Sequence, residues 1–514
     1  MNLPKKRLIP LTILYLALPN VLFIAFWLRP WLSACFGLLL FFCLWQSKYH
    51  LKLLPEVSKA GSRTLWILGA ALILTYLVGI GEFTPQKSDY EKHNLIFHDL
   101  IHYSFPVSYV SEVYQQPYLC YYVAYYLPTA CLTKLTGIAW ANEISFLWGA
   151  LGIGLTLAWL WRLVGSAFGL VFFLIGGLDY LVSRLQLLFT MQQLPHWYSI
   201  LLPSLSMTTH GKPQYGLVFS NGLVENRLEF PAPFVQLNWA PQHALGAWLA
   251  TALIWHFVQQ KKYGLIGLIW ALTLLWSPFV SLGLLPLLLF CLLSKERKSL
   301  FSITTIGLGG GICLLMGAYF LGHFPQDCKG ILLDALTTSQ DIILYIAFIV
   351  AQFGFYFFLI KRLNTSQEDQ QFALLASLGM FFCTFFYLGK FNDFGMRAVL
   401  PSQFMLLVVW LKTLRVLWLD VCKPIRFLKP YRFTSITLFL CIVLSTYKPL
   451  GSLMNISKQI LKNTPSKYPT IEALATQKID ITRMKTDPDF PETDFNRQYL
   501  GSNDSFFRKY LAKE

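Results

Sequence analysis

Long runs of apolar residues recur along almost the whole chain, and they restrict its fold more than any other feature. A helix needs roughly 20 mainly apolar residues to cross the hydrocarbon core of a bilayer. We therefore predict an all-α polytopic membrane protein with about 13 transmembrane helices. The predicted spans are residues 8–28, 31–47, 64–81, 141–163, 167–186, 238–258, 263–277, 279–293, 299–322, 341–360, 371–389, 398–418 and 432–450.

The composition supports a membrane protein and argues against several other classes. Hydrophobic residues make up 55% of the 514 residues and charged residues only 13%, whereas soluble domains carry about a quarter charged residues. The net charge of +16 does not indicate a nucleic-acid partner, because Lys and Arg lie in short loops where positive-inside bias explains them. The ten cysteines are scattered without a C-x-x-C pair, as is typical of small buried hydrophobes.

The positions of Lys and Arg also predict the topology. The Tyr-rich stretch 119–137 is interrupted by Pro128 and carries Lys134, and we interpret it as a re-entrant or interfacial helix pair. If the stretch 119–137 does not span the membrane and the N-terminus is cytoplasmic, the main basic loops all lie on the cytoplasmic side. The external face then carries loops 82–140, 187–237 and 323–340, the turn 390–397 and the tail 451–514.

This topology divides the chain into three parts. Residues 1–63 form an N-terminal transmembrane hairpin and a cytoplasmic loop, and residues 64–450 form the transmembrane core. Residues 451–514 form an external C-terminal tail, which either docks on the external loops or the membrane or stays partly ordered. The sequence contains no Gly-rich phosphate-binding loop, so an ATP-driven pump is not indicated.

The highest density of acidic, basic and histidine residues lies in the first long external loop. The segment reads Ser88-Asp89-Tyr90-Glu91-Lys92-His93-Asn94 and is followed by His98-Asp99. Acidic groups beside a bilayer are costly to keep ionised, which makes this segment a candidate functional site. On a helix, Asp89 could act as general base or metal ligand, and Lys92 and His93 could neutralise a phosphate. The alternative is a solvated interfacial helix with i,i+4 pairs.

A second cluster, Asn392-Asp393-Phe394-Gly395-Met396-Arg397, precedes a late span on the predicted external face. A planar guanidinium suits phosphate oxygens, so Arg397 is a candidate ligand for a lipid-linked phosphate. Asp393 could orient Arg397 or bind a metal. The alternative is a snorkelling arginine beside an aspartate that caps the helix.

A third cluster, Asn238-Trp239-Ala240-Pro241-Gln242-His243, stands at the external start of another span. Placing a histidine on a helix that enters the membrane costs free energy unless the side chain has a hydrogen-bond partner or a functional role. Gln242 and His243 are therefore candidate contacts for a sugar or phosphate, and a buried structural hydrogen bond is the rival explanation.

The architecture resembles the GT-C superfamily of integral-membrane glycosyltransferases, which use polyprenyl-phosphate-linked sugar donors. The residues that carry the likeness are Ser88-Asp89-Tyr90-Glu91-Lys92-His93 and Asn392-Asp393-Phe394-Gly395-Met396-Arg397, within residues 64–450. Some uncharacterised bacterial membrane proteins share similar Asp-aromatic-x-Lys-His-Asn and Asn-Asp-x-x-Met-Arg strings. The resemblance implies a multi-pass protein of the bacterial inner membrane, with a lipid-linked sugar donor and a glycan, lipid or protein acceptor.

The resemblance also implies an inverting transfer on the external face. Asp89 would deprotonate the acceptor hydroxyl, and Arg397 would bind the donor phosphate with Lys92 or His93. Two spans within residues 8–47 precede the expected start of the family's core. Asp89 and Glu91 match only loosely the acidic pair that is common in the family, so a divalent metal is left open.

Two other functions remain open from the sequence. A transporter or flippase of lipid-linked saccharide would bind the same ligand, but it would need charged residues deep within several spans. A polysaccharide polymerase or ligase would share the donor and rely on external Arg and His residues, for which Arg227, His243 and Arg397 are candidates. The enzyme hypothesis predicts that Asp89 and Arg397 face one cavity.

Overall fold

The computed structural model is mostly helical. It describes residues 5–47, 61–111, 114, 116–190, 208–209, 212–213, 217–218, 227–325, 329–364, 366–389, 392–421, 432–463, 468–477, 479–483 and 496–513. The α-helices are α1 Lys5–Trp27, α2 Pro30–Ser47, α3 Ser62–Leu77, α4 Tyr90–His102, α5 Leu127–Thr136, α6 Ala141–Val164, α7 Asp179–Thr190, α8 Pro233–Trp239, α9 Pro241–Gln259, α10 Ile266–Trp276, α11 Pro278–Gly283, α12 Leu285–Leu293, α13 Gly310–Leu321, α14 Ser339–Ile349, α15 Phe355–Leu363, α16 Gln367–Phe382, α17 Asp393–Ala398, α18 Leu400–Val421, α19 Arg432–Leu461 and α20 Ile471–Gln477.

The short strands form two-stranded antiparallel sheets. The strands are β1 Tyr118–Leu119, β2 Thr208–Thr209, β3 Lys212–Pro213, β4 Leu217–Val218, β5 Arg227–Leu228, β6 Lys329–Ile331, β7 Phe386–Leu388 and β8 Leu500–Gly501. β1 pairs with β8, β2 with β3, β4 with β5, and β6 with β7.

Within the described residues, five helical segments are long and apolar enough to cross a membrane. They are Leu8–Trp27, Ile138–Val164, Thr304–Leu321, Ser339–Leu363 and Leu400–Leu417. A sixth would be Pro278–Leu293 with Lys295–Phe301, a pair bent by 117°. The chain is therefore a helical protein with several candidate spans, and the prediction of about 13 transmembrane helices is not confirmed.

Several predicted spans are shorter helices than the apolar runs indicated. The run 263–277 contains the 11-residue α10, and 371–389 contains the 16-residue α16 followed by β7. At 1.5 Å per residue, 11 residues reach about 16 Å, which is half the hydrocarbon thickness. The stretch 119–137 holds only the 10-residue α5, so a single short helix stands there in place of the predicted helix pair.

The predicted span 167–186 is wrong as one continuous helix. It consists of a 3-10 helix, Ala167–Leu174, and then α7, with an extended link between them. In the link, Gly176 donates its backbone N–H to Ser445 and accepts the hydroxyl of Tyr356, 2.7 Å away. A Cβ at Gly177 would overlap the side chain of Gln352. The glycine pair therefore lets the backbone approach its neighbours closely, and these contacts replace helical hydrogen bonds.

The chain forms two compact units. The first unit contains Met1–Trp159, Leu237–Gln326 and Asn455–Glu514, and the second contains Leu160–Gln236 and Asp327–Met454. The first unit thus combines the N-terminal hairpin, the first long loop and the tail, so the units cut across the predicted three-part division.

Helix α9 forms the core of the first unit. Every residue from Pro241 to Val258 is buried. A helix that is apolar all round is typical of a position among other helices. Helices α1 and α10 pack against it, and α1 is tied to α10 because Asn20 Nδ2 and Trp276 Nε1 bond to backbone carbonyls across this contact.

The C-terminal tail docks on the first unit. β8 pairs with β1, and Phe507 is buried against Tyr118, Phe23 and Tyr319. Beyond Phe507, the N–H of Lys513 donates to Trp27 O, 2.8 Å away, at the last turn of α1. Of the two states considered for the tail, its described residues adopt the docked one, and they contact the first long loop directly.

The second unit is built around α16 and α18, which pack along each other. Strand β7, which pairs with β6, lies next to α17, and α17 leads directly into α18. This arrangement fixes the position of Asp393 and Arg397 at one end of a long buried helix.

Candidate functional site

Asp89 lies at the N-terminal end of α4, in the loop that follows α3. It is the N-cap residue of the helix, and its side chain makes no capping hydrogen bond. Lys92 reaches back from the first turn and places Nζ 2.9 Å from Asp89 Oδ2. The Asp89 side chain is 25% exposed. The ammonium group and the positive end of the helix both favour the ionised carboxylate, so Asp89 is a charged and reachable acid.

His93 follows one turn later and connects three elements. Its Nε2 lies 2.9 Å from Trp239 O at the end of α8, and its Nδ1 lies 2.6 Å from the hydroxyl of Tyr126. Because the carbonyl only accepts, Nε2 carries the hydrogen and Nδ1 accepts from Tyr126. Burial raises the pKa of Tyr126 well above its usual value, so the hydroxyl stays neutral and donates. Phosphate binding by His93 would require breaking one of these bonds.

The acidic pair Asp89 and Glu91 diverges as α4 begins. Residues two apart on a helix point in nearly opposite directions, and Asp89 is already paired with Lys92. Burial raises the pKa of the Glu91 carboxyl. Across the described part of the chain, no group of three or more His, Cys, Asp or Glu side chains is arranged to hold a metal ion. The metal site at Asp89 and Glu91 stays a prediction.

The first and third sequence clusters meet in the first unit. The bond from His93 to Trp239 joins α4 to the turn between α8 and α9. Beside this bond lies a small cavity, whose wall includes His93, Asn94, Glu82, Tyr125, Ser145 and Pro241. Tyr125 and Ser145 are buried, and neither hydroxyl has a hydrogen-bond partner in the described structure. The cavity therefore offers polar groups to water or a ligand.

Gln242 is fully buried at the start of α9, and both of its amide atoms lack hydrogen-bond partners among the described residues. Asn238 Nδ2 is also without a partner there. An unsatisfied buried polar group costs about 1–3 kcal/mol. Beside Gln242, the ring of His243 lies 4.6 Å from that of Tyr122. Two amides and two rings can bind hydroxyl groups and the apolar face of a sugar.

Arg397 and Asp393 form an ion pair in the second unit. Their NH2 and Oδ1 atoms are 3.1 Å apart across one turn of α17. Asn392 starts this helix in a left-handed conformation, with φ at 53°, and its Oδ1 accepts the N–H of Gly395. Arg397 is 7% exposed and Asp393 25%. Both roles considered for Asp393, orienting Arg397 and binding a metal, stay predictions.

The predicted site residues thus fall into two sets. Asp89, Lys92, His93, Gln242 and His243 belong to the first unit, and Asp393 and Arg397 belong to the second. The hypothesis that Asp89 and Arg397 face one cavity stays a prediction.

Two further acids, Glu82 and Asp99, had no role in the sequence-based predictions. Glu82 lines the cavity, and Asp99 is fully buried, where its oxygens accept from His98, Tyr109 and the N–H of Ile481. Burial raises the pKa of Glu82 and raises that of Asp99 to about 6. Only their position within an apolar loop segment could have marked them, because the backbone N–H groups that they accept, those of Ile471 and Ile481, lie 389 and 382 residues further along the chain.

Comparison of the chain with models of known families, with curated proteins and with solved structures finds no match.

Proposed function

We propose that the protein is a membrane glycosyltransferase of the GT-C type, which transfers a sugar from a polyprenyl-phosphate donor to an acceptor hydroxyl with inversion. The observation that carries the proposal is the pair of Asp89 and Lys92 at the start of α4. This carboxylate is charged and reachable, and it lies outside the candidate spans. A general base for a hydroxyl acceptor needs these properties.

The contact between α4 and the α8–α9 turn supports a binding role for the neighbouring residues. His93 holds the first turn of α4 against Trp239, three residues before Gln242. The unpaired amides of Gln242 and Asn238 would bind sugar hydroxyls. In this proposal, Lys92 and His93 position the base, and the sugar lies towards the start of α9.

The chemistry needs one proton transfer and one displacement. Asp89 takes the proton of the acceptor hydroxyl while the hydroxyl oxygen of the acceptor bonds to the anomeric carbon of the sugar. The bond from that carbon to the oxygen of the donor phosphate breaks at the same time. Negative charge grows on the leaving phosphate, and a guanidinium stabilises it. We assign this role to Arg397, which Asp393 orients across one helical turn.

The test is transfer by the purified full-length chain in lipid nanodiscs, with polyprenyl-phosphate sugars and a panel of glycan, lipid and peptide acceptors. Release of free polyprenyl phosphate with formation of a glycosylated product would support the proposal. In sealed proteoliposomes, donor that crosses the bilayer unchanged would instead indicate a flippase. Transfer of an oligosaccharide from a lipid diphosphate, without use of monosaccharide donors, would indicate a polymerase or ligase.

A further inference from the structure

Two histidines on the C-terminal half of α4 form a cluster that the proposed transfer does not use. His98 and His102 are four residues apart, so they lie on adjacent turns of one helical face. Their rings are stacked, with centroids 4.2 Å apart and planes at 28°. His98 is 4% exposed, whereas His102 is exposed. The pair is therefore reachable from the side of His102.

Hydrogen bonds fix the same tautomer in both rings. His98 Nδ1 lies 3.0 Å from Asp99 Oδ1, and His102 Nδ1 lies 2.9 Å from His98 O. An ionised carboxylate and a carbonyl only accept, so each Nδ1 carries the hydrogen. Each Nε2 then carries a lone pair. In the part of the chain that the structure describes, neither Nε2 has a hydrogen-bond partner.

This pattern is the one that metal-binding histidines show. A histidine that ligates a metal usually donates its other ring N–H to a carboxylate or a backbone carbonyl, which orients the ring. Histidines at positions i and i+4 of a helix can bind one Zn²⁺ ion. Imidazole ligands favour Zn²⁺, Cu²⁺ and Ni²⁺ over Mg²⁺ and Ca²⁺.

We propose that His98 and His102 bind a transition-metal cation of the Zn²⁺ class through their Nε2 atoms, with Asp99 as the carboxylate that orients His98 and with water in the remaining positions. The site is separate from Asp89 and Glu91, and it does not depend on the proposed transfer. Lys134 opposes binding, because its charge acts on His102. It is held nearby, with Nζ 2.6 Å from Tyr103 O and 4.6 Å from the centre of the Phe105 ring.

The test uses the full-length chain purified in detergent through a tag without histidine and freed of metal. Calorimetric titration with Zn²⁺ at pH 7.5 should show one site per chain. His102→Gln should lower the affinity by at least about tenfold, and Asp99→Asn by about 10- to 100-fold. Lys134→Gln should raise it several-fold. His323→Gln is the control that should change nothing, because the ring nitrogens of His323 lie against carbonyl oxygens, 3.1 Å from Phe324 O and 2.7 Å from Gln498 O, and do not face an open position.

Paramagnetic resonance of the Cu²⁺-loaded protein gives an independent readout. The wild-type spectrum should show hyperfine coupling to two imidazole nitrogens, and the His102→Gln spectrum should show coupling to one. His102 is exposed, so this variant is expected to fold even if Asp99→Asn does not. Absence of binding at micromolar Zn²⁺, or equal affinity in wild type and His102→Gln, would overturn the proposal.

Discussion

The carboxylate of Glu82 accepts a hydrogen bond from the backbone N–H of Ile471, 2.9 Å away and 389 residues further along the chain. Asn94 makes a second such connection, because its Nδ2 donates to Pro469 O. The start of α20 is thereby held beside α4 and the cavity. The tail is consequently part of the wall around the candidate site, and a change in its docking should alter that site.

Replacing Asp89 by Asn should lower transfer by about 10²- to 10⁴-fold, because the amide cannot take the proton of the acceptor. The matched control is Glu91→Gln, which removes a carboxylate two residues away on the same helix and should keep most of the activity. Initial rates of both variants in nanodiscs give the measurement, with thermal unfolding as the check on folding. Asp89 is not the base if the Asn variant keeps its rate.

Replacing Arg397 by Lys should lower the rate of transfer by about 10²- to 10³-fold, since a single ammonium cannot reproduce the planar fork on the leaving phosphate. Asp393→Asn should have a smaller effect, because it weakens the orientation of Arg397 and keeps its charge. Single-turnover kinetics separate this loss from a loss of donor binding. A rate for the Lys variant within a factor of two of wild type would exclude a direct role for the guanidinium.

Replacing Gln242 by Met should stabilise the protein and weaken its activity. The change removes two buried polar atoms that have no partner in the described structure, and it keeps the side-chain volume. We expect an increase of about 1 kcal/mol in the free energy of unfolding and a higher Michaelis constant for the sugar donor. Unfolding curves and donor titrations are the measurements. Lower stability with unchanged kinetics would show that the amide is only structural.

Replacing Glu82 by Gln should flatten the dependence of stability on pH. Burial raises the pKa of Glu82 in the folded protein above the ordinary value of 4.5, so folding favours its neutral form. The stability from this group is present below pH 4.5 and is lost as pH rises through the folded pKa. The melting temperature of wild type should therefore fall more than that of Glu82→Gln on going from pH 4 to pH 7. Parallel curves for the two proteins would contradict this assignment.

Features that depend on neighbours along one helix could be predicted from the sequence alone. It predicted the helical class and the charged start of α4, and it placed Asp393 close enough to orient Arg397, because i,i+3 and i,i+4 contacts follow from helical geometry. Apolar runs also indicated candidate membrane helices, and five helices in the part of the chain that the structure describes are long and apolar enough to span.

Packing between distant segments determines which apolar runs become long helices and which polar groups meet. Hydropathy cannot distinguish a helix buried among other helices, such as α9, from one that faces lipid, because both media are apolar. The bonds of His93 to Trp239 and Tyr126, and of Glu82 to Ile471, join segments that are distant in sequence. Such contacts form because buried polar groups need partners wherever packing places them, and the order of residues alone does not state where that is.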